Sequence, residues 1–272
     1  MMNGTVESRG CRLHYNLSGD GPPLVFIQGV GIHASGCDPQ VAELSHQFRC
    51  LTFDNRGIGE SQPIGERITV DQMVEDTLTV MDAAGIESAH IAGHSLGGMI
   101  AQQLATIARP RVRSLSLLCT SAQGSHATRF APDLVWLGLR SNLGPVRARR
   151  GAFLRIVLPD AYIATQDRAE LADRLAKIIG HDLGVPPPVT MKQLAALKKF
   201  DGRPHLAGLA GIPTLVVGAT HDRIFPPRFV RALAEGIPGA RYVELDGAHG
   251  VTIQRDREVN QLLREFCTEK SV

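Results

Sequence analysis

The sequence predicts an α/β fold: a mostly parallel, doubly wound sheet with helices on both faces and an inserted helical cap. Three observations predict it. Short apolar runs recur at 24–28, 49–53, 89–92, 114–119, 214–217 and 241–245, several ending in Gly, Asp or Ser, and such runs read as strands buried on both faces. Longer stretches at 38–48, 70–84, 96–108, 228–235 and 255–266 alternate with them and mix apolar and charged positions at helical spacing. The alternation stops between about 124 and 204, where the chain turns helical and arginine-rich. Strands linked through helices pair in parallel, and ligands gather at their carboxyl ends.

The elements follow in order. Run 24–28 leads into the glycine-rich turn Gln28-Gly29-Val30-Gly31, and run 49–53 into Asp54-Asn55-Arg56-Gly57-Ile58-Gly59-Glu60-Ser61. Thr69 or Asp71 can cap the helix at 70–84. Run 89–92 passes directly into Gly93-His94-Ser95-Leu96-Gly97 and then a helix carrying Met99-Ile100-Ala101. From 114 to 131 there is neither Asp nor Glu. Segment 124–204, punctuated by Gly144-Pro145, Pro159-Asp160 and Pro186-Pro187-Pro188, reads as a cap inserted into a core of 1–123 and 205–272. Phe130, Leu134, Trp136, Leu137, Phe153, Leu154 and Ile156 supply its apolar surface, with Trp136, Leu137 and Phe153 the expected substrate contacts. Arg140, Arg147, Arg149, Arg150 and Arg155 fit a solvated helix face better than a site for an acidic substrate. The last two runs lead into loops carrying Asp222 and His249.

The chemistry centres on Ser95. A serine on a tight strand-to-helix turn takes a strained backbone conformation, and glycines two residues to either side let strand and helix close around it. The turn lifts the hydroxyl out of the sheet. The Leu96 N–H, at the start of the next helix, then faces a developing oxyanion, reinforced by the helix dipole. Serine needs a base, and the base an orienting acid. His249 lies in a glycine-bracketed loop just beyond a buried strand, whereas His33, His126, His205 and His221 lack that context and His94 points elsewhere on the turn. Asp222 sits just beyond the preceding strand and is favoured over Asp246 as the acid.

Composition narrows the partners. In 272 residues, 29 Lys+Arg against 27 Asp+Glu leave a formal charge of +2, which provides no electrostatic reason to expect nucleic acid or an anionic membrane. A small-molecule substrate is expected. Five scattered cysteines without C-x-x-C spacing argue against a disulfide framework and a zinc site, and no H-E-x-x-H occurs, so neither metal nor cofactor is expected. The first residues lack a basic-then-apolar secretory pattern and no apolar segment is long enough to span a bilayer, which leads to the expectation of a cytoplasmic protein. Nothing in the sequence indicates an oligomeric state.

On the Asp54–Ser61 loop, the pentapeptide around Ser95 and the Asp222 and His249 loops, the chain resembles the α/β-hydrolase fold superfamily over essentially its whole length. The resemblance implies a Ser95–His249–Asp222 triad, in the family's chain order. It also implies a second oxyanion donor from the loop after run 24–28, for which Val30 N–H is the candidate, and a structural role for the loop holding Arg56. Two residues depart from the pattern: Gln28 replaces a frequent histidine, and Cys37 stands where relatives often carry an aromatic residue. A serine at the turn separates the chain from the epoxide hydrolase and haloalkane dehalogenase branches, which use Asp there. The expected reaction is hydrolysis of a carboxylic ester or lactone of a small to medium apolar molecule through an acyl-enzyme. Its rivals are carbon–carbon bond hydrolysis, cofactor-free lyase or oxygen chemistry, and a ligand-binding receptor with little turnover; fold alone does not separate them.

Overall fold

The computed structural model describes residues 2–63, 67–128 and 132–269; Phe130 lies outside them. One sheet contains β1 (Met2–Ser8), β2 (Cys11–Ser18), β3 (Pro23–Ile27), β4 (Arg49–Phe53), β5 (Ala89–His94), β6 (Val112–Leu118), β7 (Thr214–Ala219) and β8 (Arg241–Leu245). Their order across the sheet is β1-β2-β4-β3-β5-β6-β7-β8. From β4 to β8 every neighbouring pair is parallel, whereas β2 runs antiparallel to both β1 and β4.

Side chains explain the layering. Successive strand residues point to opposite faces, and here both faces are apolar. Val25, Ile27, Ile91, Leu115, Leu117 and Val216 join one core, while Leu24, Phe26, Ala92, Leu118, Leu215 and Val217 join another. The first core is covered by α2 (Val70–Ala83), α3 (Leu96–Ile107) and, further along the chain, a helix at Pro227–Gly236. The second is covered by α1 (Asp38–Leu44) and a C-terminal helix at Asp256–Glu269. Thr69 caps α2, its hydroxyl accepting from Gln72 N–H at 3.1 Å.

Between β6 and β7 the chain builds α4 (Pro132–Asn142), α5 (Val146–Val157), α6 (Asp160–Ala164), α7 (Arg168–Ile179) and α8 (Thr190–Lys199). After β7 come α9 (Pro227–Gly236), α10 (Val251–Gln254) and α11 (Asp256–Glu269). The insertion has its own apolar cluster, in which Leu154, Leu158, Ile163, Leu171, Leu175 and Ile179 pack together. Two of its arginines form local ion pairs: Arg150 meets Asp173 and Asp182, and Arg155 meets Asp160. No helix among the described residues is long and apolar enough to cross a membrane.

The β1–β2 hairpin is absent from the sequence-based expectation. Its strands face solvent with one side and are too polar to read as buried runs. Its two-residue turn is Arg9-Gly10, with φ of +45° and +75°, which matches the twist of a hairpin but lacks the usual Asn-Gly or Asp-Gly signal.

Candidate active site

The turn after β5 carries the strain expected of it. Ser95 has φ 56° and ψ −118°, a conformation that L-residues rarely adopt and that persists only where surroundings over-determine it. Those surroundings are visible. Ser95 N–H donates to Leu118 O at 3.0 Å, and Thr120 Oγ1 donates to Ser95 O at 2.7 Å. A Cβ at Gly93 would strike the Gly97 carbonyl, and one at Gly97 the Ile27 carbonyl. Both glycines therefore let β3, β5 and α3 converge under the serine. Leu96 opens α3, and amides in a helix's first turn have no intrahelical acceptor.

The later strands deliver the other two groups. Asp222 Oδ2 lies 2.8 Å from His249 Nδ1, and both side chains are buried. The other carboxylate oxygen accepts from the N–H groups of Ile224 and Phe225 at 2.8 and 3.0 Å. The buried Cys119 thiol also hydrogen-bonds Asp222, and burial holds it well above the ordinary thiol range. With Asp222 accepting from Nδ1–H, the His249 tautomer leaves Nε2 with its lone pair. His249 and Ser95 line the same cavity.

His94 has a role that its sequence position conceals. Its Nε2 lies 2.9 Å from the His249 carbonyl oxygen, and the two rings are 4.9 Å apart. Burial, aided by the neighbouring His249, pushes its pKa down to about 4, so it is neutral at pH 7 and donates from Nε2–H. His94 thereby anchors the His249 loop rather than competing with it. No local pattern signals this, because the contact spans 155 positions.

The loop after β3 presses against the serine. A Cβ at Gly29 would lie 3.1 Å from Ser95 Cβ and 3.5 Å from its Oγ. Gln28 bonds across this loop: Nε2 donates to Cys37 Sγ at 3.1 Å and Oε1 accepts from Gly29 N–H at 3.3 Å. The two departures from the superfamily pattern are thus each other's partners. The floor comes from the loop after β4. Asn55 Nδ2 donates to Gln28 O at 3.0 Å, and Asp54 Oδ1 accepts from Ala34 N–H at 2.7 Å. Arg56 turns away into a two-pronged ion pair with Asp76, both bonds 2.6 Å.

Ser95, His94, His249 and Val30 open onto a cavity of about 630 Å³, roofed by the insertion through Leu134, Phe153, Ile156, Leu175 and Leu194. Phe153 is among the lining residues, and Trp136 and Leu137 are not. Trp136 is 60% exposed with the Arg140 guanidinium 5.8 Å from its ring centre, and Leu137 is buried away from the cavity. Helix α4 turns Leu134 and Gly138 to the cavity, and helical spacing sends residues 136 and 137 to other faces. Among the described residues, no group of three or more His, Cys, Asp or Glu side chains is arranged to hold a metal ion.

The sequence model of the alpha/beta hydrolase fold matches residues 22–256. The chain belongs to the α/β-hydrolase fold family. This α/β hydrolase is 34% identical over 259 residues to the "Putative carbamate hydrolase RutD" of Azorhizobium caulinodans, covering 94% of this chain and 95% of that one. It is similar to the crystal structure of the enol-lactonase from Burkholderia xenovorans LB400, with 29% identity, a TM-score of 0.80 and coverage of 97% and 100%. It is also similar to Est816, described as an N-acyl homoserine lactone degrading enzyme, with 25% identity, a TM-score of 0.80 and the same coverage.

Proposed function

We propose that this hydrolase cleaves a carboxylic ester or lactone of a small to medium apolar molecule through an acyl-enzyme on Ser95. The observation that carries the reading is the Asp222–His249 pair at 2.8 Å, opening with the strained Ser95 onto one apolar cavity. His249 Nε2 takes the serine proton as Oγ attacks the carbonyl, then returns it to the leaving alkoxide. It next activates water, which releases the acid and regenerates the serine. Asp222 holds the tautomer and stabilises the imidazolium. The Leu96 and Val30 amides receive the oxyanion.

The substrate class follows from the cavity. Among its described lining residues Lys198 alone carries a permanent charge, and the remainder is dominated by Leu, Ile, Val and Phe, a surface that favours apolar acyl or alkyl groups. Segment 124–204 serves as the cap that supplies most of that wall. The similarity to lactone-cleaving structures and to a carbamate hydrolase supports attack at an acyl carbon.

The test is turnover of a graded ester and lactone panel, with a carbamate included, by wild type and Ser95→Ala side by side. Mass detection of an acyl adduct accompanies it. Wild-type turnover that disappears in Ser95→Ala, with an adduct on wild type, is expected. Equal turnover by both proteins would refute the mechanism; carbamate turnover alone would reassign the substrate.

A further inference from the structure

Gly31, next to the proposed oxyanion donor Val30, is enclosed by residues of the insertion. Its N–H donates to Gln193 Oε1 at 2.8 Å, and its carbonyl lies 3.0 Å from His181 Nε2. Its φ is +76°, and a Cβ there would sit 3.3 Å from Thr190 Oγ1. Two residues on, His33 N–H donates to Ile179 O at 3.1 Å, and the His33 ring packs on Gly180. Every one of these partners comes from 179–193. The loop is therefore tied to the core at Gln28, through Asn55, and to the insertion at Gly31 and His33.

We propose that Gln193 and His181 are positioning residues that hold the oxyanion loop against Ser95, so that the insertion completes the catalytic machinery as well as roofing it. This rests on the reading of Val30 N–H as an oxyanion donor. The Gly31 peptide is held from both sides: Gln193 takes its N–H, and the His181 ring sits between two carbonyls, Asp182 O at 2.8 Å from Nδ1 and Gly31 O at 3.0 Å from Nε2, donating to Gly31 when Nε2 carries the proton. Rotation of either peptide plane flanking residue 31 breaks one of these bonds. Gln193 is fully buried, and its Nε2 makes no hydrogen bond among the described residues. A buried amide half left unsatisfied is costly. Leucine would fill the same space without that cost, so the accepting oxygen toward Gly31 is what glutamine contributes here.

A donor displaced by about 1 Å can cost on the order of 100-fold in rate. Gln193→Leu and His181→Ala are therefore expected to lower kcat about 10- to 100-fold on an ester the wild type turns over, with KM within about threefold. Unchanged kcat in both Gln193→Leu and His181→Ala would overturn the proposal, as would a loss of kcat/KM that is carried by KM with kcat left at the wild-type value. Hydrogen exchange at Gly31 N–H in wild type supplies a readout independent of variant folding: strong protection is expected, and exchange at the rate of an open loop overturns the proposal. Failure of the underlying mechanism is distinguished by Ser95→Ala, which would then retain turnover whatever residues 181 and 193 do.

Discussion

Ser95, Asp222 and His249 stand just beyond β5, β7 and β8, and what would make the proposed triad a unit is a set of contacts around them. Ser95→Ala is expected to lower turnover about 10⁴-fold or more and Asp222→Asn about 10⁴-fold, because the amide presents His249 with the wrong hydrogen-bonding partner. Steady-state kinetics on any active ester checks both. Gly29 is a sharper probe. Its missing Cβ leaves room for Ser95, and a methyl 3.1 Å from Ser95 Cβ would push the loop away. Gly29→Ala is expected to reduce kcat about 10-fold or more while the protein still folds. Normal kcat with an unchanged melting curve would show that the loop tolerates the shift. The pairing of Gln28 with Cys37 was not legible in the sequence, since a nine-residue separation across a loop has no periodicity to reveal it.

At the scale of elements, the parallel strands were readable because burial on both faces forces continuous apolar runs. The β1–β2 hairpin was not, because its alternation is weak and its Arg9-Gly10 turn is atypical. Packing between elements carries two predictions. The Arg56–Asp76 ion pair, with side chains 2% and 1% exposed, ties the loop after β4 to α2, and the Ser8 hydroxyl joins it on β1 by donating to Asp76 at 2.6 Å. Asp76→Ala leaves a buried guanidinium without its partner and is expected to cost about 3–5 kcal/mol, measurable by urea unfolding. A cost below about 1 kcal/mol would mean that water reaches Arg56. Gly97→Ala drives a methyl into the backbone carbonyl of Ile27, which has no flexible end to yield. It is expected to destabilise by about 3 kcal/mol or more, seen as a lowered melting temperature.

For the molecule as a whole, two histidines, His90 buried in the sheet and His94 half-buried at the cavity wall, set a pH dependence of stability. Burial, with Arg113 adding, pushes His90 down to about 4, and burial, with His249 adding, does the same to His94. The unfolded chain binds protons at both positions below about 6.5, whereas the native state resists them until about 4. Their contribution is therefore complete above about pH 6.5 and is lost progressively as pH falls toward 4, up to about 3 kcal/mol for each. Denaturant unfolding at pH 7.5, 5.5 and 4.5 is expected to show a steady fall. A flat profile would mean that the two imidazoles are more hydrated than their surroundings indicate.

Local sequence pattern was enough for the fold class, the strained serine turn, the chain order of the three proposed catalytic residues and the helical character of 124–204. These are local properties: period, turn chemistry and the residue at a strand end. Tertiary structure alone decided that His94 anchors the His249 loop, that Trp136 and Leu137 turn away from the cavity, and that Gln193 and His181 grip Gly31. The Gly31 contacts span 162 and 150 positions. Their geometry follows from how the insertion seats on the sheet, and many helix faces share the same apolar pattern while only one seating brings these groups together.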